Sequence, residues 1–398
     1  MPTYIADLDL PFIDLPQIVD RGELRVALAA ARKQSWIVRT PLGYLLTRRD
    51  DVIALLRDRR WHSAVRLINQ MNGIPRDESR PESVLSAEGD DHARLRRLVA
   101  PAFSPKAADR LRPFMRSVIT ELVDRASVEG KSEFVTDVCE PYPIPIICEL
   151  LGAPKEDWRD FSRWATNLLK IFNGTWEQDR ADIEKARVEI DEYVANLIAQ
   201  RRGSPKDDLL SELIAAEEAG DRLSAPELLV MVQAIILGGT DTTRNQLACS
   251  VALFTSHLDQ WKLLAERPEL AVSAVEETMR YLGAIRGTGR YASEELEFNG
   301  VTFPQFSIVA QSLVSANFDE NAFEDPERFD ITRGGVGQHL TFGSGIHFCM
   351  GSSLAKAELQ EALPLIAQRW PNLQLDGNIE WKPNGSGIWG PEKLPIRF

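Results

Sequence analysis

Phe342-Gly-Ser-Gly-Ile-His-Phe-Cys-Met-Gly351 runs directly into a helical stretch that begins near Ser352 and Ser353. Glycines at 343, 345 and 351 let the backbone turn tightly and pass close to a flat ligand without a β-carbon in the way. Phe342 is placed to shield the Cys349 sulfur. A cysteine just before a helix meets the positive end of its dipole and its free N–H groups, which favours thiolate over thiol. Cys349 therefore has the surroundings of an anionic metal ligand. Cys139, Cys148 and Cys249 do not, and read as inert buried thiols. None of the four shows C-x-x-C spacing, so neither a zinc site nor a disulfide framework is expected, and a reducing compartment, the cytoplasm, follows.

Outward from this loop the chain reads as predominantly helical. Apolar periodicity predicts helices over 50–57, 92–99, 107–125, 157–172, 181–202, 226–256, 268–281 and 352–369. Shorter alternating pieces at 36–40, 43–47, 289–298, 301–303, 307–312 and the C-terminal tail predict small sheets, so the expected class is mainly α with minor β-sheets (α+β). The stretch 316–344 is long for an irregular connection, and such loops are usually functional. No repeat, low-complexity tract or Gly/Ser linker divides the 398 residues, which predicts one domain over 1–398. With 46 basic and 59 acidic residues the formal charge is −13, which argues against nucleic acid or an anionic membrane as partner. The local exception is His92 to Arg97, with four potentially cationic side chains in six positions. The longest apolar runs are too short to span a bilayer, and the first ten residues lack a basic leader region, so neither anchor nor export signal is expected. Within the longest helix, Gly238-Gly-Thr-Asp-Thr-Thr243 weakens the backbone ladder. Its hydroxyls can bond to backbone carbonyls, which predicts a local opening where oxygen or water can sit.

The pattern F-x-x-G-x-H-x-C-x-G formed by Phe342, Gly345, His347, Cys349 and Gly351 resembles, at every fixed position, the cysteine-ligand loop of the cytochrome P-450 superfamily. A haem iron held by cysteine thiolate receives electron density that favours O–O cleavage. The resemblance runs from about Asp90 to the C-terminus, and the first ninety residues fit only loosely. It implies haem b gripped between the long distal helix and the helix after Cys349, with O₂ as co-substrate. It also implies that Glu277, Arg280 and Arg328 form a structural triad, the first two sharing a helix face at i and i+3. His92 and Arg96, one helical turn apart, together with Arg290 and His347, match the family's haem-propionate partners, and buried carboxylates need such donors. Asp241 and Thr242 match its acid–alcohol pair, which implies proton delivery during dioxygen cleavage.

Pocket residues implied by the same likeness are Leu85 in the loop 74–85, Trp164, Leu168 and Phe172, Leu237 and Gly238, Ile285 and Arg286, and Ile388 with Trp389. Trp164, Leu168 and Phe172 equally suit ordinary core packing at helical spacing. The sequence departs from the family at Gly283 to Gly289, which lacks a common proline and carries Arg286, able to clamp a substrate carboxylate, a propionate or solvent. Phe318 and Met350 are milder departures. The expected reaction is insertion of one oxygen atom of O₂ into an apolar small molecule by a monomer. Its electrons come from a separate ferredoxin and ferredoxin reductase, since the chain has no flavin or nicotinamide motif; Arg94 and Arg97 are the expected docking cations. The alternatives are a peroxide-driven oxygenase on the same fold and a haem-thiolate protein that binds ligands without turnover.

Overall fold

The computed structural model describes residues 2–398 except 19, 72, 75–79, 174, 221–222, 336–337 and 385–386, with residue 16 described by its backbone alone. Its organising element is the central helix Ala225–Phe254. Ser224 caps it by accepting from the Glu227 N–H, while the Glu227 carboxylate accepts from the Ser224 N–H at 2.8 Å, so two orphan donors are satisfied at once. The helix is apolar on nearly every face because other helices surround it. The apolar helix Pro143–Leu151 packs so closely that a β-carbon on Gly239 would collide with the Ile147 side chain. On another side, the helix Ser352–Arg369 contributes Leu354, Leu359 and Leu363 to the same core as Ile235, Leu247 and Val251.

A five-stranded sheet stands apart from this helical core. Its order is Ile37–Thr40, Gly43–Leu46, Ile308–Ser312, Gly287–Ala292, Trp61–Ser63. The first pair is a hairpin, Gly43–Leu46 runs parallel to Ile308–Ser312, and the remaining pairs are antiparallel. Trp61, Phe298 and Phe303 pack edge-on beneath it, with a core of its own. The sheet matters for the site because its register sets Ser63 opposite Arg290 at the outer edge.

The expected class holds, with differences of detail. The stretch 289–298 is two strands, Gly287–Ala292 and Leu296–Phe298, separated by bends at 293–295. The helix Arg21–Gln34 was not expected; Asp20 caps it by accepting from the Glu23 N–H at 2.9 Å. The central helix shows no opening at 238–243: its backbone is helical throughout, and the Thr242 hydroxyl donates to the Gly238 carbonyl at 2.7 Å. Among the described residues no helix is long and apolar enough to cross a membrane.

Candidate functional site

The cysteine loop is fixed from three directions. Its own backbone closes through Cys349 N–H to Phe342 O at 2.9 Å. Gly343 and Gly345 lie at φ +72 and +73, and a β-carbon on Gly345 would strike the Leu56 carbonyl, so glycine is required there. The approach to the loop is pinned by Asn317, whose Oδ1 accepts from the Leu340 N–H at 2.7 Å and whose amide donates to Thr341 Oγ1 at 3.1 Å. The start of the following helix is tied down by Lys356, paired with Glu276 at 2.5 Å, while Glu276 also holds His339 at 3.1 Å. Sequence reasoning passed over Glu276, Asn317, His339 and Lys356, whose residue types carry no signal before the fold brings them together.

Cys349 is surface-accessible, yet burial among protein atoms pushes its thiol pKa up, against the Gly351 N–H and the Arg96 charge that pull it down. Accessible surface and strong desolvation coexist where a sulfur faces a recess within the protein. The expected preference for thiolate is thus outweighed by burial; binding to a metal cation is what would remove the proton. A β-carbon at Gly351 would meet nothing within 4 Å, so open space lies beside the sulfur's chain neighbour as well.

Beside the loop lies a cluster of cations and imidazoles. The His92 and His347 rings are 4.5 Å apart, and Arg96 Nη2 donates to the Phe348 carbonyl at 2.8 Å. Glu88 Oε1 accepts from the Ser63 N–H at 2.6 Å and sits 3.1 Å from His347 Nε2. Buried Arg290 donates to Thr288 Oγ1 at 3.1 Å and the Gly289 carbonyl at 2.9 Å. His92 is buried, and its Nε2 has no hydrogen-bond partner. Burial first, then His347 and Arg96, push its pKa down to about 4. A buried polar atom left unpaired is costly, and this one stands among three potential cations. The set suits an anionic ligand: carboxylates brought here would find an orphan nitrogen and charged donors. All four expected propionate partners come together, and Glu88, which sequence reasoning missed, orients His347.

The structural triad needs one correction. Glu277 and Arg280 are fully buried and paired, Nε to Oε2 at 2.7 Å and Nη2 to Oε1 at 2.9 Å. Arg280 also donates to the carbonyls of Asn317 and Pro326 at 3.0 and 2.9 Å. The third arginine is Arg333, whose Nε lies 3.2 Å from Glu277 Oε1. Arg328 contributes only its carbonyl; its side chain is 63% exposed and pairs with Asp330. The irregular segment turns back at Asp330, whose N–H donates to Glu277, so the later arginine, not the earlier one, arrives inside.

On the central helix, Gly238 is the one exposed residue between Leu228 and Phe254, with Ala234, Leu237, Gly239 and Thr242 half-buried around it. Gly238 and Thr242 are one turn apart, and a β-carbon on Gly238 would meet nothing, so this face opens onto space. Asp241 faces elsewhere: it is buried, paired with Arg244, and 3.9 Å from Lys382. Glu358, in the helix behind the cysteine, has both carboxylate oxygens buried without a hydrogen-bond partner, and complete burial pushes its carboxyl up to about 8, against a weaker pull from Thr243, so it is protonated at neutral pH. Glu358 was missed because an acid in an amphipathic helix reads as surface.

The expected pocket residues scatter. Trp164 is core: it stacks with Phe161 and Tyr193 and donates to Glu189 at 2.8 Å. Leu168 packs against the same core, and Leu85 is exposed. Phe172 touches Gly387, next to half-buried Ile388, and Asn173 accepts from the Gly387 N–H, which joins the helix to the tail. Part of the loop 74–85 lies outside the described residues. Ile285, Arg286 and Trp389 line a separate cavity that contains neither Cys349 nor Thr242. Arg94 is bound to Glu227 and Asp91.

Residues 43–386 match the family described as cytochrome P-450. The chain belongs to that family. It is 37% identical to luteothin monooxygenase of Streptomyces thioluteus over 98% of this chain and 96% of that protein. It is equally 37% identical to mycinamicin IV hydroxylase/epoxidase of Micromonospora griseorubida, over 94% of each chain. Among solved structures, a myxobacterial cytochrome P-450, CYP267B1, in complex with myristic acid superposes with a TM-score of 0.86 at 33% identity, covering 95% of this chain and 97% of that one. The likeness therefore takes in the first ninety residues, which the sequence motifs alone did not reach. This P-450 is a haem-thiolate monooxygenase acting on small organic molecules, with haem iron and dioxygen as its working parts.

Proposed function

We propose that this P-450, as a single haem domain over residues 1–398, binds haem b through Cys349. His92, Arg96, Arg290 and His347 would hold the two propionates, and Thr242 would serve proton delivery. The observation that carries this reading is the unpartnered, buried His92 Nε2 beside His347 and Arg96, whose charge also acts on the accessible Cys349 sulfur. When bound, haem supplies the iron at which dioxygen is activated and one oxygen atom passes to the substrate.

The chain's own groups do the rest. The Gly238–Thr242 face leaves room for small ligands above the helix backbone. The Thr242 hydroxyl, anchored on the Gly238 carbonyl, can accept a proton from one side and hand one on. Asp241 is held by Arg244, so it reaches Thr242 only when that ion pair exchanges. The substrate is an apolar small molecule of the bulk that relatives named for luteothin and mycinamicin IV act upon, and the reaction is a hydroxylation or epoxidation. A carboxylate clamp by Arg286 is not part of the reading, because that side chain lines a cavity whose wall includes neither Cys349 nor Thr242.

Electrons come from a ferredoxin and its reductase, acting in the cytoplasm, a compartment that suits four unpaired thiols. Docking falls to exposed Arg97 rather than to Arg94, whose charge is spent on Glu227. The test is NAD(P)H-driven product formation with surrogate partners. Thr242→Ala should lower product per electron consumed by about 10-fold to 100-fold. Unchanged coupling would remove Thr242 from the reaction, and turnover with peroxide alone would favour the peroxide-driven alternative.

A further inference from the structure

A cavity of ≈ 350 Å³ opens between the start of the helix Arg21–Gln34, the C-terminal end of the central helix, and the tail around Trp381 and Trp389. It shares no wall residue with Cys349, His92, Gly238 or Thr242, so it is separate from the haem-thiolate site. Its size lies within the roughly 300–1,000 Å³ of small-molecule sites.

Three arginines face it without a full complement of acids. Arg21 lies over Trp381 at 4.0 Å and makes no ion pair among the described residues. Arg25, one helical turn on, lies 3.8 Å over Phe318 and 4.3 Å over Tyr281. Its Nη2 is buried with no hydrogen-bond partner, and the carboxylate nearest to it, Glu327 at 3.5 Å, is itself 61% exposed. Arg286 is stacked on Trp389 at 4.8 Å and spends one donor on Asn384. Arg280 also reaches the wall, but Glu277 neutralises it. The acid in the wall, Asp20, is occupied in capping the helix. Burial lowers the basicity of both Arg21 and Arg286, and a neighbouring guanidinium adds to it in each case, Arg25 at Arg21 and Arg21 at Arg286.

Concentrating three guanidiniums on one space is unfavourable in any protein, and in a chain of formal charge −13 composition does not account for it. Each of the three guanidiniums packs on an aromatic ring of the same cavity wall, Arg21 on Trp381, Arg25 on Phe318 and Arg286 on Trp389. Arginine so held is suited to bidentate recognition of oxyanions. We propose that this cavity is a second binding site, for a small organic molecule carrying at least two carboxylate or phosphate groups. It gives Arg286 a ligand-binding role outside the haem cleft, and it stands whether or not the oxygenase reading holds.

The test is calorimetric titration of the haem-loaded protein with citrate and, separately, with inorganic pyrophosphate, at ionic strength held constant with sodium chloride. Saturable one-site binding of one probe or both is expected, and the stronger arm distinguishes carboxylate from phosphate. Arg21→Gln and Arg286→Gln should each weaken it about 10-fold or more, Arg286→Lys should weaken it less than Arg286→Gln, and Arg180→Gln, at an exposed arginine of the helix Trp176–Gly203, should leave it unchanged. The absorption spectrum of each variant certifies its fold. Absence of saturable binding by either probe, or weakening by Arg180→Gln equal to that by Arg21→Gln, would overturn the proposal.

Discussion

Two groups of cations flank the cysteine loop, one around Glu277 and one around His92, and they differ in what they have left to give. Around Glu277 every donor is consumed inside the protein: Arg280 meets both carboxylate oxygens and three carbonyls, and Arg333 closes the remaining side. Around His92 the accounting stays open, with an unpaired buried nitrogen and neighbours of the same potential charge. A closed network fixes backbone, and an open one awaits an anion. The difference cannot be read from arginine and glutamate, which both groups contain; only the open one adds histidine.

The comparison breaks most readily at its closed end. Arg280→Ala would strand the Glu277 carboxylate in the core, at a cost of about 3–5 kcal/mol, and is expected to abolish soluble haem-loaded protein; normal yield and denaturation midpoint would show the network to be dispensable. The open end predicts a ligand effect instead. His92→Ala should speed haem transfer to a scavenging globin about 10-fold to 100-fold, the equivalent of a charge-assisted hydrogen bond, while costing the apoprotein little. Equal haem retention would mean that His92 is merely buried.

Glu358 sharpens the comparison from a third side, as a buried acid with neither cation nor anion to answer. Its pKa rises on folding from 4.5 to about 8. Across that window the unfolded chain has already lost the proton that the folded chain keeps, so stability falls as pH rises from about 4.5 to 8, and is fully retained below. Glu358→Gln should flatten this slope and stabilise the protein at pH 8 on the order of 2 kcal/mol; parallel pH–stability curves for variant and parent would contradict it. The smallest effect expected is that of Arg328→Ala, within about 0.5 kcal/mol, against a clear loss for Arg333→Ala. Equal effects of the two would restore Arg328 to the network.

Much of this was legible before the fold was known, for identifiable reasons. The loop 342–351 declares itself because glycine, aromatic and cysteine positions are set by backbone geometry within ten residues, and the helix 352–369 was bounded correctly by its periodicity. His92, Arg96 and His347 were legible through their match to the H-x-x-x-R helix and the cysteine loop of the family the sequence resembles. Arg333 was not, because the irregular stretch after Asp319 has no period from which its path could be drawn. The helix Pro143–Leu151 escaped because it is only nine residues long and apolar at every position but Glu149, which leaves little amphipathic stripe to read. Arg286 and Trp389 line a cavity whose wall includes neither Cys349 nor Thr242, a fact of tertiary packing that no local pattern encodes.

The central claim is thiolate ligation by Cys349, and the most direct measurement is the absorption spectrum of the purified haem protein, reduced with dithionite and exposed to carbon monoxide, beside that of Cys349→Ser. The account predicts a Soret band strongly red-shifted from that of histidine-ligated haem in the parent and absent from the variant. An unshifted band in folded parent protein, or a red-shifted band that survives the substitution, would contradict it.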